Sequence, residues 1–220
     1  NPLLFYFFMT SLVSKIKSKK YSSISDDLIS EEINLFLKRN PKAKEKQIVK
    51  GVRKKLHQVY GSFQVTKKKK REKLFKELTK NKNSIELHKK ILETNLSTKE
   101  RLDFYQELYK EIFKITGDPK RILDIGSGIN PISYPFLDCN PEYIAIEINK
   151  EDVDFINKYF KLQKIKGKAI LLNINEKNIR KLPSSDICFL FKILELLEKK
   201  GHKFSELLIT NLRCKYVIVS

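Results

Sequence analysis

Apolar positions recur at helical spacing over the first half of the chain and gather into short continuous runs over the second. Leu28, Ile29, Ile33, Phe36 and Leu37 share one helical face behind Ser25, a residue suited to an N-cap. Asn40-Pro41 predicts both the end of that helix and the cap of the next. Ile48, Val49, Val52, Leu56 and Val59 form the stripe of a second helix that Gly61 would close, and Leu74, Phe75 and Leu78 mark a third. Residues 81–84 read as a polar linker. Ser97-Thr-Lys-Glu100 matches a capping box for a helix through Leu102, Tyr105, Leu108, Tyr109, Ile112 and Phe113, ended by Gly117-Asp-Pro119. Beyond it, apolar runs near 121–125, 143–148, 168–173, 186–191 and 215–220 alternate with helical stretches. That alternation predicts an α/β fold with a doubly wound parallel sheet, its ligand at the carboxyl ends of the strands.

The run Arg121-Ile-Leu-Asp-Ile-Gly-Ser-Gly-Ile-Asn-Pro131 carries the most chemistry. Asp124 is the lone acid of an apolar strand, and Gly126 and Gly128, on either side of Ser127, permit a tight turn and close approach to a bound group. The third glycine of a dinucleotide fingerprint is missing, because Asn130-Pro131 stands where the pattern would continue, so the loop fits S-adenosylmethionine better. The next apolar strand, Tyr143-Ile-Ala-Ile-Glu-Ile148, ends in Glu147, placed to accept from ribose hydroxyls. An acid beside a glycine turn is also ordinary loop chemistry; the two features together favour a cofactor site.

Charge adds a partner. The formal net charge is +19, and residues 1–100 hold 25 Lys and Arg against 10 acids. An excess confined to one module marks a polyanion-binding surface, with nucleic acid the leading ligand; a Lys- and Asn-rich genome would explain part of it. Lys50, Arg53 and Lys54 lie mainly off the apolar stripe of their helix, and Lys67, Lys68, Lys69, Lys70 and Arg71 form an unbroken run that could clasp several phosphates. Three scattered cysteines and three scattered histidines show no metal-ligand spacing and no disulfide framework, so no metal is expected. Cys188 reads as core and His57 as a surface or packing residue. The aromatic residues 1–8 are too short to span a membrane and lack the marks of a signal peptide. Met9 is the only methionine, so residues 1–8 read as an upstream extension and the protein as cytoplasmic.

These residues resemble the 16S rRNA guanine-N7 methyltransferases that confer aminoglycoside resistance. The resemblance runs in order through Lys19-Lys20-Tyr21, Arg53-Lys-Lys-Leu-His57, Leu96-Ser-Thr-Lys-Glu-Arg-Leu102, Ile122-Leu-Asp-Ile-Gly-Ser-Gly-Ile-Asn-Pro131 and Phe191-Lys-Ile-Leu-Glu-Leu-Leu-Glu198. It implies a basic helical ribosome- and RNA-binding domain over 9–80, a linker helix over 81–96 and a Rossmann-like methyltransferase domain over 97–220 that lacks its last strands. The implied partner is the small ribosomal subunit and its 16S rRNA, met by a monomer, with Lys19 and Lys20 joining the basic helices at the docking surface. The implied cofactor is S-adenosylmethionine. Arg101 would pair with its methionine carboxylate, the alternative being a surface ion pair. Gly126 and Gly128 would pass beneath it, Glu147 would hold the ribose, Ile148 would pack on the adenine, and Asn173 would meet the adenine amino group. Phe191 and Lys192 would line the methyl-transfer site. Ser127 stands where the family usually has Cys, and Glu147 and Asn173 where it usually has Asp. A catalytically inactive RNA-binding relative, or a methyltransferase with another target nucleotide, are the alternatives.

Overall fold

The computed structural model describes residues 2–18, 21–58, 68–194 and 202–220. Its helices are α1 (Pro2–Ile16), α2 (Asp26–Arg39), α3 (Glu45–Leu56), α4 (Lys68–Lys80), α5 (Ile85–Leu92), α6 (Leu96–Glu100) and α7 (Tyr105–Thr116). There follow β1 (Arg121–Ile125), a 3-10 helix (Asn130–Phe136), β2 (Glu142–Glu147), α8 (Lys150–Gln163), β3 (Gly167–Leu171), α9 (Glu176–Ile179), β4 (Ser185–Leu190), α10 (His202–Asn211) and β5 (Cys214–Val219).

The five strands form one parallel sheet in the order β3-β2-β1-β4-β5. Parallel sheets carry helices on both faces, so their central strands are continuously apolar rather than alternating. Ile122, Tyr143, Ala145, Ile187 and Phe189 face a core closed by α4, α5, α7 and α8, while Leu123, Ile125, Ile144, Ile146, Cys188 and Leu190 face one closed by α9 and α10. The doubly wound expectation is met.

A separate core joins α1, α2 and α3 through Leu12, Ile16, Leu28, Ile29, Ile33, Ile48, Val52 and Leu56. Ser25 caps α2 by accepting from the Leu28 N–H. Helix α4 does not join this cluster. Its Leu74 and Leu78 pack with Ile91, Leu92, Tyr109 and Phe155 around the sheet, so residues 68–92 are built into the sheet layer. Among the described residues, the core of α1 to α3 thus takes nothing from α4, although the expected helical domain ran to residue 80.

Two local expectations are corrected. Asn40-Pro41 stops α2, but α3 starts only at Glu45, where the Lys44 N–H donates to Gln47 Oε1 at 2.8 Å. Ser97 does not open the long helix. Asn95 Oδ1 accepts from the N–H groups of Ser97 and Thr98 and starts the short α6, and α7 begins separately at Tyr105. The Thr98 hydroxyl, bonded to the Leu92 carbonyl, holds this turn closed. Helix α1 runs unbroken through Met9, with Leu3, Leu4, Phe5, Tyr6 and Phe7 exposed. Gly61 lies outside the described residues.

Candidate functional site

The loop after β1 is shaped by two glycines in the left-handed region, Gly126 at φ 67° and Gly128 at φ 51°. A Cβ at Gly126 would stand 2.3 Å from Ile193 Cδ1, so space as well as conformation requires glycine there. The loop is tied to the next strand, because Glu147 Oε2 accepts from the Gly128 N–H at 2.8 Å. Its other oxygen accepts from the N–H groups of Ile148 and Asn149 at 2.7 and 3.1 Å. Burial, with Asp152 adding repulsion, raises the Glu147 carboxyl to about 7 against the pull of these three donors. One acceptor position on Oε2 remains for a ligand hydroxyl.

Asp124 sits deeper, 1% exposed. It accepts from Tyr143 Oη at 2.6 Å and Asn130 Nδ2 at 2.9 Å, and burial raises its pKa. Asn130 is the hub: its Oδ1 accepts from Tyr105 Oη at 2.8 Å and from Arg101 Nη2 at 3.3 Å. Asp124 thus acts on the site through this network and not by direct exposure. Asn130 stood in the sequence only as the residue breaking the glycine pattern, and Tyr105 and Tyr143 only as apolar positions. Their hydroxyls gave no periodic signal.

Arg101 lies with its guanidinium 4.8 Å above the Phe191 ring and donates from Nη1 to Ser97 Oγ at 3.1 Å. Among the described residues no carboxylate lies within ion-pair distance of it, and its buried Nε has no partner there. Ser127 Oγ is likewise buried and unpartnered. Buried orphaned polar atoms are costly, about 1–3 kcal/mol each, so a polar ligand beside the glycine turn would satisfy these two; Arg53 Nε, Ser185 Oγ and Ser205 Oγ are orphaned elsewhere. Arg101, Ser127, the glycine loop and Glu147 fit an elongated ligand with an anionic group at one end and hydroxyls further along.

Phe191 is 5% exposed and stacks on Phe189 at 4.8 Å. Lys192 follows with φ 56°, and its ammonium lies 3.2 Å from Glu100 Oε2, an exposed pair at the rim. Ile148, half-buried, packs against the helical core of α1 to α3. Asn173, 4% exposed, donates from Nδ2 to Glu31 of α2. No sequence pattern paired those two.

The basic residues divide. Lys50, Lys54, Lys69 and Lys70 are exposed. Arg53 is not free: it donates to the Lys15 carbonyl at 2.6 Å and to Ser18 Oγ at 2.8 Å, clasping the carbonyl-rich end of α1. Arg71 departs furthest from the expected phosphate-facing run. It is 9% exposed, donates to Asp152 Oδ1 at 2.7 Å and lies 4.9 Å over the Phe155 ring, fastening α4 to α8. Lys19, Lys20 and Lys67 lie outside the described residues, as does the side chain of Lys68. Among the described residues no cluster could hold a metal ion, and no helix is long and apolar enough to cross a membrane.

A family model described as ribosomal RNA methyltransferase (FmrO) matches residues 17–220. A protein of Proteus mirabilis named 16S rRNA (guanine(1405)-N(7))-methyltransferase is 29% identical over 93% of this chain and 77% of its own length. The chain spans less than two thirds of the length of other relatives bearing that name, such as 46% of one from Frankia casuarinae. Among solved structures, the 16S rRNA methylase RmtB superposes with a TM-score of 0.82 at 25% identity, covering 96% of this chain and 83% of that one. The 16S rRNA methyltransferase RmtF, solved with S-adenosyl-L-homocysteine, shares the fold with a TM-score of 0.79 at 21% identity, covering 94% and 77%.

Proposed function

Because the chain belongs to the ribosomal RNA methyltransferase (FmrO) family, we propose that it transfers the methyl group of S-adenosylmethionine to a guanine N7 in the decoding site of 16S rRNA. The substrate is the assembled small ribosomal subunit, met by a monomer in the cytoplasm. The observation that carries this reading is Arg101. A guanidinium with no carboxylate partner among the described residues, stacked on Phe191 beside a Ser127 hydroxyl likewise unpartnered there, suits the carboxylate of an amino-acid-bearing nucleoside. The Glu147 acceptor position suits its ribose.

When bound, S-adenosylmethionine supplies an electrophilic methyl on a sulfonium. The work left to the chain is placement. Guanine N7 holds a lone pair and no proton, so the attacking atom needs no general base. That agrees with a site whose buried carboxyls, Asp124 and Glu147, are both committed to hydrogen bonds. Phe191 and the aliphatic stem of Lys192 would exclude water from the methyl-transfer site, and the Lys192 ammonium, paired with Glu100 at an exposed edge, would meet the target nucleotide or its phosphate. Proximity and orientation are the principal contributions. N7 is hidden in part by stacking, so the base must be turned out of its helix to reach a site this recessed.

The exposed lysines Lys50, Lys54, Lys69 and Lys70 supply sequence-independent affinity for rRNA phosphates, joined by Lys19, Lys20, Lys67 and Lys68. Incubation with labelled S-adenosylmethionine and purified small subunits tests the proposal: label enters 16S rRNA in the parent and is lost in Arg101→Ala. Transfer to free nucleotides or to protein instead would contradict it, and binding to subunits without transfer would favour an inactive RNA-binding relative.

A further inference from the structure

Resting on the methyl-donor reading above, we propose that the helical domain contributes a specificity-determining positioning residue to the donor site: Glu31 orients the Asn173 amide so that its oxygen reads the amino group of adenine. Asn173 lies two residues beyond β3, at the carboxyl edge of the sheet where doubly wound folds bind nucleosides. Its side-chain nitrogen donates to Glu31 Oε2 at 2.5 Å. A carboxylate only accepts, so the amide is fixed with its nitrogen toward α2 and its oxygen on the opposite side. The backbone is fixed as well, because Asn178 Nδ2 donates to the Asn173 carbonyl at 3.0 Å.

Nothing among the described residues donates to Asn173 Oδ1. A recessed acceptor of this kind favours a ligand that presents an N–H, as adenine does through its 6-amino group, and disfavours a purine with a carbonyl there. The choice of residue follows from the same contact. An aspartate at 173 would set two carboxylates against each other, whereas asparagine offers Glu31 a donor and keeps an acceptor for the ligand.

A second set of contacts brings the helical domain to the same end of the site. Ser25 N–H donates to the Ile148 carbonyl at 3.1 Å, and Lys150 N–H to the Ser23 carbonyl at 2.7 Å, either side of an antiparallel bridge between Ile24 and Asn149. Ile148 and Asn149 are the residues whose N–H groups hold Glu147. Both walls of the nucleoside end, after β2 and after β3, are therefore fastened to the helical domain. That domain shapes donor selection in addition to carrying exposed lysines.

The test is calorimetric binding of two ligands to the full chain: S-adenosylhomocysteine and its 6-oxo analogue, S-inosylhomocysteine. The parent prefers the adenine ligand by ~30-fold, the discrimination of a site whose polar group would be left facing a like acceptor. Glu31→Ala lowers adenine-ligand affinity ~5-fold and reduces the preference below ~3-fold, because the amide is then free to turn. Asn173→Asp weakens binding ~10-fold, and adding Glu31→Gln to it restores affinity to within ~3-fold, since the glutamine amide donates to the new carboxylate. That rescue is a readout that loss of fold cannot mimic. An undiminished preference in Glu31→Ala, or a double variant no better than Asn173→Asp, overturns the inference and leaves the donor reading standing. A parent chain that binds neither ligand overturns both.

Discussion

Replacing Asn130 with leucine removes the hub of the buried network while keeping the branching and the number of side-chain heavy atoms. The amide now serves Asp124, Tyr105 and Arg101 through bonds of 2.9, 2.8 and 3.3 Å. In the variant Tyr105 Oη loses its acceptor, and Asp124 keeps Tyr143 alone, with its bond of 2.6 Å. A buried hydroxyl without a partner costs about 1–3 kcal/mol, and a hydrogen bond to a charged group is worth about 1.5–3 kcal/mol, so a loss on the order of 3–5 kcal/mol is expected. Domains of this kind have only about 5–15 kcal/mol in total, so the shift in urea midpoint would be large. The companion change Tyr105→Phe removes one member of the same pair. In the double variant it adds little to Asn130→Leu, because its orphaned hydroxyl is already counted. Urea unfolding of the four proteins, with constant slope, measures both quantities. A loss below about 1 kcal/mol for Asn130→Leu, or strict additivity in the double variant, would refute the network.

Other expectations follow from the same geometry. Glu147 is raised to about 7 in the folded chain from an ordinary 4.5, so the native state holds the extra proton between those values. Stability then falls as pH rises through that window, by on the order of 3 kcal/mol, and Glu147→Gln removes that part of the slope; parallel profiles for the two proteins between pH 5 and 8 would show that the three N–H donors outweigh burial. Arg101→Ala weakens S-adenosylhomocysteine ~10-fold or more by calorimetry while leaving subunit affinity unchanged, and equal ligand affinity would remove Arg101 from the site. Converting Lys50, Lys54, Lys69 and Lys70 to glutamine lowers subunit binding and reduces its logarithmic salt slope by about 3; an unchanged slope would make them solvated surface only. Arg71→Gln behaves oppositely, losing stability through its half-buried partner Asp152 with the salt slope of binding retained.

The sheet was legible because its central strands are buried on both faces, and continuous apolar runs such as Tyr143–Ile146 are hard to mistake for anything else. All five strands lie within a residue or two of their expected positions. The loop after β1 was legible for the same local reason: two glycines at positive φ and an acid at the next strand end are sequence-near features. What escaped notice depends on contacts distant in sequence. Glu31 and Asn173 meet across the domain boundary, and Tyr143 reaches Asp124 from the neighbouring strand. Arg71 was misread from information that was present. It lies three and seven residues from Leu74 and Leu78, on the same helical face, so periodicity placed it inward even though its neighbours made it look like part of a charged run. The start of the long helix at Tyr105 was missed because a capping-box match at Ser97 competed with the stronger cap, Asn95, two residues earlier.

The most direct test of the account is to map where the methyl group goes. Small subunits methylated by the purified chain are stripped to 16S rRNA and cleaved chemically at N7-methylguanine. The account predicts one new cleavage, at a guanine of the decoding site, that is absent when Arg101→Ala replaces the parent. Methyl transfer to a different atom or to a guanine outside that site would contradict it.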